Sequence, residues 1–348
     1  MERRDAERSL NVQVAQLVRD AEQCGLCVVP QTESQRTRMV QMVRKGALER
    51  VFPGMFVSSA TAASWKLNPR LRAWTLAKTY AHLHPDRALC SFSAAVVHGL
   101  WVSYSLLDKV YVVATQDEAT HRSPWVFYRR IKSLKTERVE GIVVTAIEQT
   151  VLDCALSAPF AEGLAIADSA LRYRGVTNEQ LLAYFRVHGK RRPGIHKAMA
   201  VARYACGDAE NGGESIVRGL IIAAGYMAPS MLQLEFIDPV DITKTIRADG
   251  FFDLGHGRGV IFEVDGMVKY PGVEHEDAEG AVDPDSSGEV HEDLRETLVA
   301  ERQRESHITA LGYPVMRVLF KRVREPDYLV SLLRAYGIPQ VNDPLPFV

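Results

Sequence analysis

Residues 247–266 read RADGFFDLGHGRGVIFEVDG, and this stretch decides the fold of the C-terminal part of the chain. Two runs with aromatic and β-branched residues flank the glycine-rich segment GHGRG at 255–259, so the sequence predicts a β-hairpin. The second run, 259–266, is apolar at consecutive positions, which is typical of a strand in the interior of a sheet. We therefore expect a largely buried hairpin at the centre of the C-terminal domain.

Carboxylates stand at alternate positions of this hairpin. Because alternate residues of a strand project to the same face, we expect its four acids to share one face. Like charges there repel one another unless a cation neutralises them, and carboxylate oxygens suit Mg²⁺ and Mn²⁺. The alternative is a solvated sheet face with aspartates that shape the loop. The four acids are Asp249, Asp253, Glu263 and Asp265.

This pattern predicts a metal site that activates water for phosphodiester hydrolysis, with Mg²⁺ or Mn²⁺ as the ion. Either Asp249 or Asp253 would join Glu263 and Asp265 as a ligand. The predicted catalytic residues are Glu263, Asp265, Glu214 at the start of a helix, and Lys269, whose ammonium would lie beside the ion.

The elements around the hairpin follow the order helix, three strands, helix, strand. We expect helices at 196–208 and 214–224, strands at 232–237, 245–254 and 259–266, and a final strand and helix at 313–320 and 326–336. This is the order of the restriction-endonuclease-like α/β core, which we assign to residues 195–348. The strongly acidic stretch 274–296 predicts a mobile loop.

The N-terminal 60 residues predict a winged helix-turn-helix. Helices are expected at 12–23 and from 32 or 34 to 45, followed by strands at 48–52 and 55–57 that join at Pro53 and Gly54. In that fold the second helix enters a major groove of double-stranded DNA and the hairpin touches the backbone. A solvated basic helix that contacts protein is the alternative. The predicted DNA-binding residues are Arg36, Arg38, Arg44, Lys45 and Arg50.

The middle segment, 61–190, predicts mixed α and β structure, so the chain as a whole is expected to be α/β in the broad α+β sense. Thr145 is expected to cap a helix together with Glu148, and His98 is expected to be a packed core residue. Asp153 is expected to serve packing or capping. The basic run HGKRRPGIHK near 187 is interpreted as an exposed linker or turn.

Composition limits the class of protein. The 348 residues are 47% hydrophobic and 24% charged with a formal net charge of -1, which indicates two or three globular domains. The sequence shows neither an apolar run long enough for a membrane span nor a secretory signal. Five cysteines predict a reducing, cytoplasmic location, and Cys24 and Cys27 are interpreted as apolar side chains rather than zinc ligands.

Two sets of ordered motifs resemble known families. VRKGALERVFPGMFV, ALCSFSAAVVHGLW at 88–101 and GIVVTAIEQTVLDCAL at 141–156 resemble the AbiEi-type antitoxins over about the first two hundred residues. Val144, Thr145, Thr150 and Asp153 match a motif of that family. The resemblance implies a DNA-binding autorepressor of a type IV toxin-antitoxin system. It also implies a nucleotidyltransferase toxin as a functional partner that is not necessarily bound directly.

The C-terminal part is similar to PD-(D/E)xK domains akin to very-short-patch-repair endonucleases. Asp249, Glu263, Asp265, Lys269 and Arg317 occupy the matching positions in RAD, FEVDGMVKY and ALGYPVMRV. The usual lysine two residues after the glutamate is Asp265 here, so Lys269 would have to substitute for it. The long spacing from Asp249 to Glu263 leaves Asp253 open as the ligand.

Three functions are compatible with these patterns. The first is a DNA-binding transcriptional regulator of the antitoxin type that carries a nuclease-like domain. The second is a Mg²⁺-dependent DNA endonuclease that its winged helix brings to a target. A degenerate protein-interaction module is the third, and the least favoured because the arginines and acids are present.

Overall fold

The computed structural model of the chain describes residues 2–115, 123–265, 303–304 and 306–347. Helices and small sheets alternate along it, which confirms the α/β class. The chain divides into two compact units. Unit 1 comprises Met1–Ala158 and Tyr173–Arg203, and unit 2 comprises Pro159–Arg172 and Tyr204–Val348. No helix in the described part of the chain is long and apolar enough to cross a membrane.

Unit 1 begins with two helices and a hairpin, in the order that the sequence predicts. These elements are α1 (Glu2–Gln23), α2 (Glu33–Arg44), β1 (Leu48–Phe52) and β2 (Met55–Ser58). Thr32 caps α2 because its hydroxyl accepts a hydrogen bond from the backbone N–H of Gln35 at 3.2 Å. The strands pair antiparallel. A core of their own holds these elements together, formed by Val14, Val18, Val28, Met39, Leu48 and Phe56.

The rest of unit 1 includes a second core, to which Trp65, Leu76, Tyr80, Leu89 and Val112 belong. Its elements are α3 (Ser59–Leu67), α4 (Pro69–Leu83), α5 (Ser91–Val97), β3 (Val110–Val113), β4 (Val126–Arg129), β5 (Thr136–Val139), β6 (Ile142–Thr145), α6 (Ile147–Ser157), α8 (Asn178–His188) and α9 (Ile195–Tyr204). Strand β3 pairs parallel with β4, and β5 pairs antiparallel with β6. Helix α3 and strand β5 were not predicted from the sequence.

Several polar residues of unit 1 lie in its interior, among them His98, Thr145 and Asp153. His98 is buried, as predicted, and its Nε2 lies 2.8 Å from the carbonyl oxygen of Thr145. The prediction that Thr145 caps α6 is wrong, because Ala146 is the N-cap residue and no side chain caps the helix. The Thr145 hydroxyl instead contacts the Thr150 hydroxyl at 2.7 Å. Asp153 is fully buried, and its Oδ1 accepts from two arginines.

Unit 2 is built on one four-stranded sheet. Its elements are α7 (Phe160–Arg174, of which the first thirteen residues belong to this unit), α10 (Gly212–Ala223), β7 (Met231–Ile237), β8 (Thr245–Gly255), β9 (Arg258–Asp265), α11 (303–304 and 306–310), β10 (Val315–Leu319) and α12 (Tyr328–Ala335). The strand order is β10-β9-β8-β7, with β10 parallel to β9 and the other pairs antiparallel. Strand β9 is therefore interior, as its apolar sequence predicts. The acidic stretch 274–296 lies outside the described residues.

Helix α7 joins unit 2 from an early place in the chain. Its Asp168 is buried and accepts two hydrogen bonds, at 2.7 and 2.9 Å, from the guanidinium of Arg218 on α10. An added Cβ at Gly219 would lie 2.8 Å from the Cα of Ala161, so only glycine allows this close approach of α10 to α7. The predicted division at residues 60, 190 and 195 places α7 in the middle segment, whereas Pro159–Arg172 groups with the C-terminal sheet.

Candidate functional site

The central hairpin opens into a fork. Strands β8 and β9 pair from Gly255 and Arg258 to Gly250 and Phe262, with a register shift between Asp253 and Gly255. Beyond this point, β8 continues along β7, and Glu263 pairs with β10. Because the ladder between β8 and β9 ends there, side chains at the fork can enter the gap between the strands. Three of the predicted site residues, Asp249, Glu263 and Glu214, lie around this gap.

Glu263 stands on the interior strand at the fork. Its side chain is only 2% exposed, so its charge needs a partner. Arg304 on α11 supplies one, because Nη2 donates to Oε2 at 2.7 Å and Nη1 donates to Oε1 at 3.3 Å. Burial raises the pKa of Glu263, and the charge of Arg304 opposes that rise.

Asp249 faces Glu263 from the other arm of the fork. Its Oδ2 accepts a hydrogen bond from the backbone N–H of Val264 at 2.8 Å, which bridges the gap between the strands. Burial raises the pKa of Asp249, while the Val264 N–H and the charge of Arg304 lower it. This carboxylate is therefore held in place by the backbone of the neighbouring strand.

Glu214 approaches the fork from the first turn of α10. Asn211 caps that helix and accepts hydrogen bonds from the backbone N–H groups of Gly213 and Glu214. The buried carboxylate of Glu214 accepts from the Glu210 backbone N–H and from Gln233 Nε2, both at 2.9 Å, and also from Asn211 Nδ2. Burial, followed by the charge of Asp249, raises the pKa of Glu214 to about 7.

Of the other predicted site residues, Asp253 lies apart from this group. Asp253 is exposed, and its Oδ1 accepts from the backbone N–H of Gly255 at 2.8 Å. It therefore shapes the hairpin turn, and the prediction that all four acids of the hairpin converge is wrong. Asp265 is half-buried at the end of β9, with its Oδ2 3.6 Å from Nη1 of Arg317. Lys269 lies outside the described residues.

Oxygen donors at the fork match the chemistry of Mg²⁺ and Mn²⁺. However, in the part of the chain that the structure describes, no three His, Cys, Asp or Glu side chains are close enough to hold an ion together. The contacts explain this, since Arg304 covers Glu263 and the Val264 N–H holds Asp249. The carboxylate oxygens at the fork thus suit a divalent cation, but in this structure the Arg304 guanidinium is bound to those of Glu263.

Three residues of this site were missed from the sequence. Asn211 precedes Gly-Gly-Glu, a helix N-terminus signal that could have been recognised. Gln233 and Arg304 carry no local signal, because they reach the fork from a neighbouring strand and from a helix 41 residues beyond Glu263.

The second candidate surface is the exposed side of α2. Arg36, Thr37, Val40, Gln41 and Arg44 are exposed and follow one another around this side of the helix. Arg36 Nε lies 3.4 Å from a carboxylate oxygen of Glu33, an exposed pair that stabilises little. This surface offers two cations with hydrogen-bonding side chains between them.

Arg38 does not share this side. Residues two apart are separated by about 200° around a helix axis, so Arg36 and Arg38 project in nearly opposite directions. Arg38 is only half-exposed and donates to Gln41 Oε1 at 3.0 Å. Arg36 and Arg38 are both predicted to face DNA, and the structure places them on different sides of α2. Lys45, directly after α2, and Arg50 on β1 are both exposed.

The comparisons with known proteins add no family to this description. No protein-family model matches the chain, and no curated protein is significantly similar to it.

Proposed function

We propose that this chain is a DNA-binding regulator of the antitoxin type, with the exposed side of α2 as its reading surface. The observation that carries the proposal is the succession Arg36, Thr37, Val40, Gln41 and Arg44 on that side, next to the exposed Lys45 and a two-stranded hairpin. Arginine and glutamine read base edges in a major groove, and threonine and valine can contact thymine methyl groups. Lys45 and Arg50 would contact phosphates, which position the protein without reading sequence.

DNA binding by single variants tests this surface. We expect Arg36→Ala and Arg44→Ala each to weaken binding to the preferred duplex by about 1–3 kcal/mol, because each removes a base or phosphate contact. Arg38→Ala should change affinity less, since Arg38 lies on the flank of the helix. Arg186→Ala, an exposed arginine on α8, is the matched control. Equal affinities of the Arg36→Ala, Arg44→Ala and Arg186→Ala proteins, measured by fluorescence anisotropy over a salt series, would overturn the proposal.

A functional partner follows from the antitoxin resemblance. The protein would counteract a nucleotidyltransferase toxin in the cytoplasm, without necessarily binding it. All five cysteines are free, which suits a reducing compartment. Co-expression tests this part: the chain should restore growth of cells that express a cognate nucleotidyltransferase. Unrelieved toxicity would leave DNA binding as the proposed function.

The second candidate function is that of a Mg²⁺-dependent DNA endonuclease. The buried carboxylates at the fork favour it, because acids whose pKa values are raised by burial and by neighbouring charges are found at functional sites. Asp249 and Glu263, with Asp265, would hold the ion, which supplies an activated water and charge stabilisation when bound. With a pKa of about 7, Glu214 is able to accept or release a proton near neutral pH.

Nicking of supercoiled plasmid in Mg²⁺ or Mn²⁺ measures this activity. We expect Glu263→Gln to abolish nicking, whereas Asp253→Asn, which changes an exposed turn residue, should retain it. Nicking that persists unchanged in the Glu263→Gln protein would come from a contaminant and would remove the endonuclease as a candidate.

A further inference from the structure

The partner of Glu263 occupies both oxygens of that carboxylate. Nη1 and Nη2 of Arg304 each donate to a different oxygen, which is the two-pronged arrangement that arginine forms with carboxylates. Nη1 also lies 3.1 Å from the carbonyl oxygen of Arg247 on β8. The guanidinium is thus fixed by both arms of the fork.

The two members of this pair differ in their exposure. The Glu263 side chain is 2% exposed, whereas that of Arg304 is 38% exposed. Burying the carboxylate therefore depends on a cation that reaches in from the surface. A guanidinium in that position can withdraw into water without disturbing the core, while Glu263 cannot move out of an interior strand. The cation is the exchangeable member of the pair.

We propose that Arg304 is an internal counter-cation that closes the fork, and that a divalent ion binds Glu263 only after Arg304 has left. This inference rests on the metal site of the second proposed function. An Mg²⁺ or Mn²⁺ ion takes carboxylate oxygens at about 2.0–2.2 Å, and both oxygens of Glu263 now accept hydrogen bonds from Arg304, so the ion has to compete with the guanidinium for them. Its two positive charges would also repel the guanidinium at this distance. The folded site is therefore held shut by its own arginine.

Metal binding by the full-length protein tests the proposal directly. Mn²⁺ affinity is measured from the electron paramagnetic resonance signal of the free ion in titrations at pH 7.5. We expect R304Q to bind Mn²⁺ about tenfold more tightly than the wild type or better, because the competing cation is gone. E263Q and the double variant R304Q/E263Q should lose this binding.

Arg247 offers a matched control. It lies on β8 beside the fork and forms an exposed ion pair with Glu210 at 2.7 Å, so R247Q removes one positive charge from the same region without touching Glu263. We expect its Mn²⁺ affinity to stay within about twofold of the wild type. Equal tightening in R247Q and R304Q would show a general effect of charge and would overturn the proposal.

Thermal unfolding gives a second readout that does not depend on DNA. In chelating buffer R304Q should melt at a lower temperature than the wild type, because Glu263 is left buried without a cation. Mn²⁺ should raise the melting temperature of R304Q more than that of the wild type. R304Q/E263Q should regain stability in chelator and lose the response to Mn²⁺. R304K keeps the charge without the two-pronged geometry, and we expect an intermediate affinity from it if R304Q does not fold.

The Mn²⁺ titrations distinguish failure of this inference from failure of the metal-dependent function on which it rests. If the wild type and R304Q bind Mn²⁺ equally well, Arg304 is no competitor and the proposal fails while the metal site stands. If neither binds Mn²⁺, both the proposal and the metal-dependent function fail. Tighter binding by R304Q without any nicking of DNA supports the role of Arg304 and removes only the endonuclease.

Discussion

One carboxylate in unit 1 is shared by two guanidinium groups. Asp153 on α6 is fully buried, and its Oδ1 accepts from Arg192 at 2.8 Å and from Arg129 at 3.3 Å. Arg129 lies on β4 and Arg192 lies in the turn before α9, so this carboxylate joins three parts of the unit. The basic run near residue 190 is consequently anchored to the interior through Arg192.

Removing this charge should be strongly destabilising. We expect Asp153→Asn to lower the free energy of unfolding by about 3–5 kcal/mol, because two partly buried guanidinium groups lose their counter-ion. Urea denaturation measures the change. Asp86→Asn, which alters an exposed aspartate of the same unit, should change stability by less than about 0.5 kcal/mol. A similar small effect for Asp153→Asn would mean that the arginines find other partners.

His98 makes the stability of unit 1 depend on pH. Burial lowers its pKa, which the hydrogen bond to the Thr145 carbonyl and the charge of Glu137 only partly oppose. Below about pH 6.5 the unfolded chain takes up a proton that the folded chain refuses. Protons then favour the unfolded state, so this stability is complete above pH 6.5 and falls as the pH is lowered.

The test compares urea midpoints at pH 7.5 and pH 5.5. We expect the wild type to lose more stability between these values than His98→Gln, which keeps an N–H donor for the Thr145 carbonyl oxygen. Parallel losses in the two proteins would show that His98 is protonated in the folded state.

At the scale of single residues, the sequence predicted the positions of some site residues and not of others. Alternation along a strand correctly placed Asp249 and Glu263 at one site, because the period of a strand is local information. The same rule gives the face of Asp253 but not its distance, and Asp253 lies four residues along β8 from Asp249, exposed near the turn. The partners Arg304 and Gln233 are brought to the fork by tertiary packing, which no local pattern encodes.

Among the elements, most of those with strong periodicity were predicted within a few residues, whereas α1 begins at Glu2 and not at residue 12. The hairpin was expected at 245–254 and 259–266 and is found at Thr245–Gly255 and Arg258–Asp265. Strand β5 was missed because its sequence, TERV, is short and polar, and only its pairing with β6 makes it a strand. Helix α3 was missed because it follows β2 directly, with Ser58 both ending the strand and capping the helix.

The end of α10 depends on a glycine. Gly225 has a φ of +81°, and an added Cβ would lie 2.3 Å from the backbone oxygen of Asn342 in the C-terminal tail. The Gly225 carbonyl oxygen also accepts from the backbone N–H groups of Val341 and Asn342. This residue therefore fastens the tail to the helix.

Adding a methyl group at Gly225 should destabilise the fold. We expect Gly225→Ala to lower the free energy of unfolding by about 3 kcal/mol or more, because backbone strain and a steric clash act together. Gly257→Ala in the hairpin turn separates the two effects. Its φ of +75° brings the strain, but no atom lies within 4 Å of the added Cβ, so a loss of about 1 kcal/mol is expected. Equal losses in thermal melts of the two variants would contradict the clash.

At the scale of the whole molecule, the chain crosses between the two units more than once. The chain passes from one unit to the other after Ala158, after Arg172 and after Arg203. Composition changes near residue 187 suggested one boundary, but they could not show that α7 belongs with a sheet formed by later sequence. The ion pair of Asp168 and Arg218, fifty residues apart, and the close approach of Gly219 to Ala161 join α7 to α10 in unit 2.

Fragments of the protein test this division. We expect residues 195–348, the predicted C-terminal domain, to lack a cooperative unfolding transition, because Arg218 would be buried without Asp168. Residues 159–348, which include α7, should unfold cooperatively. Circular dichroism during urea unfolding distinguishes the two. Equally cooperative transitions would show that α7 is dispensable.

The early position of α7 also has a consequence while the protein is being made. Most of this helix is buried in the folded chain, yet it leaves the ribosome before α10, the helix that it packs against. At about 5–20 residues per second, the delay is on the order of several seconds. During that time the apolar surface of α7 is exposed to solvent. We expect a chaperone that binds nascent chains to bind this surface. The speed of translation thus sets how long an aggregation-prone surface stays exposed.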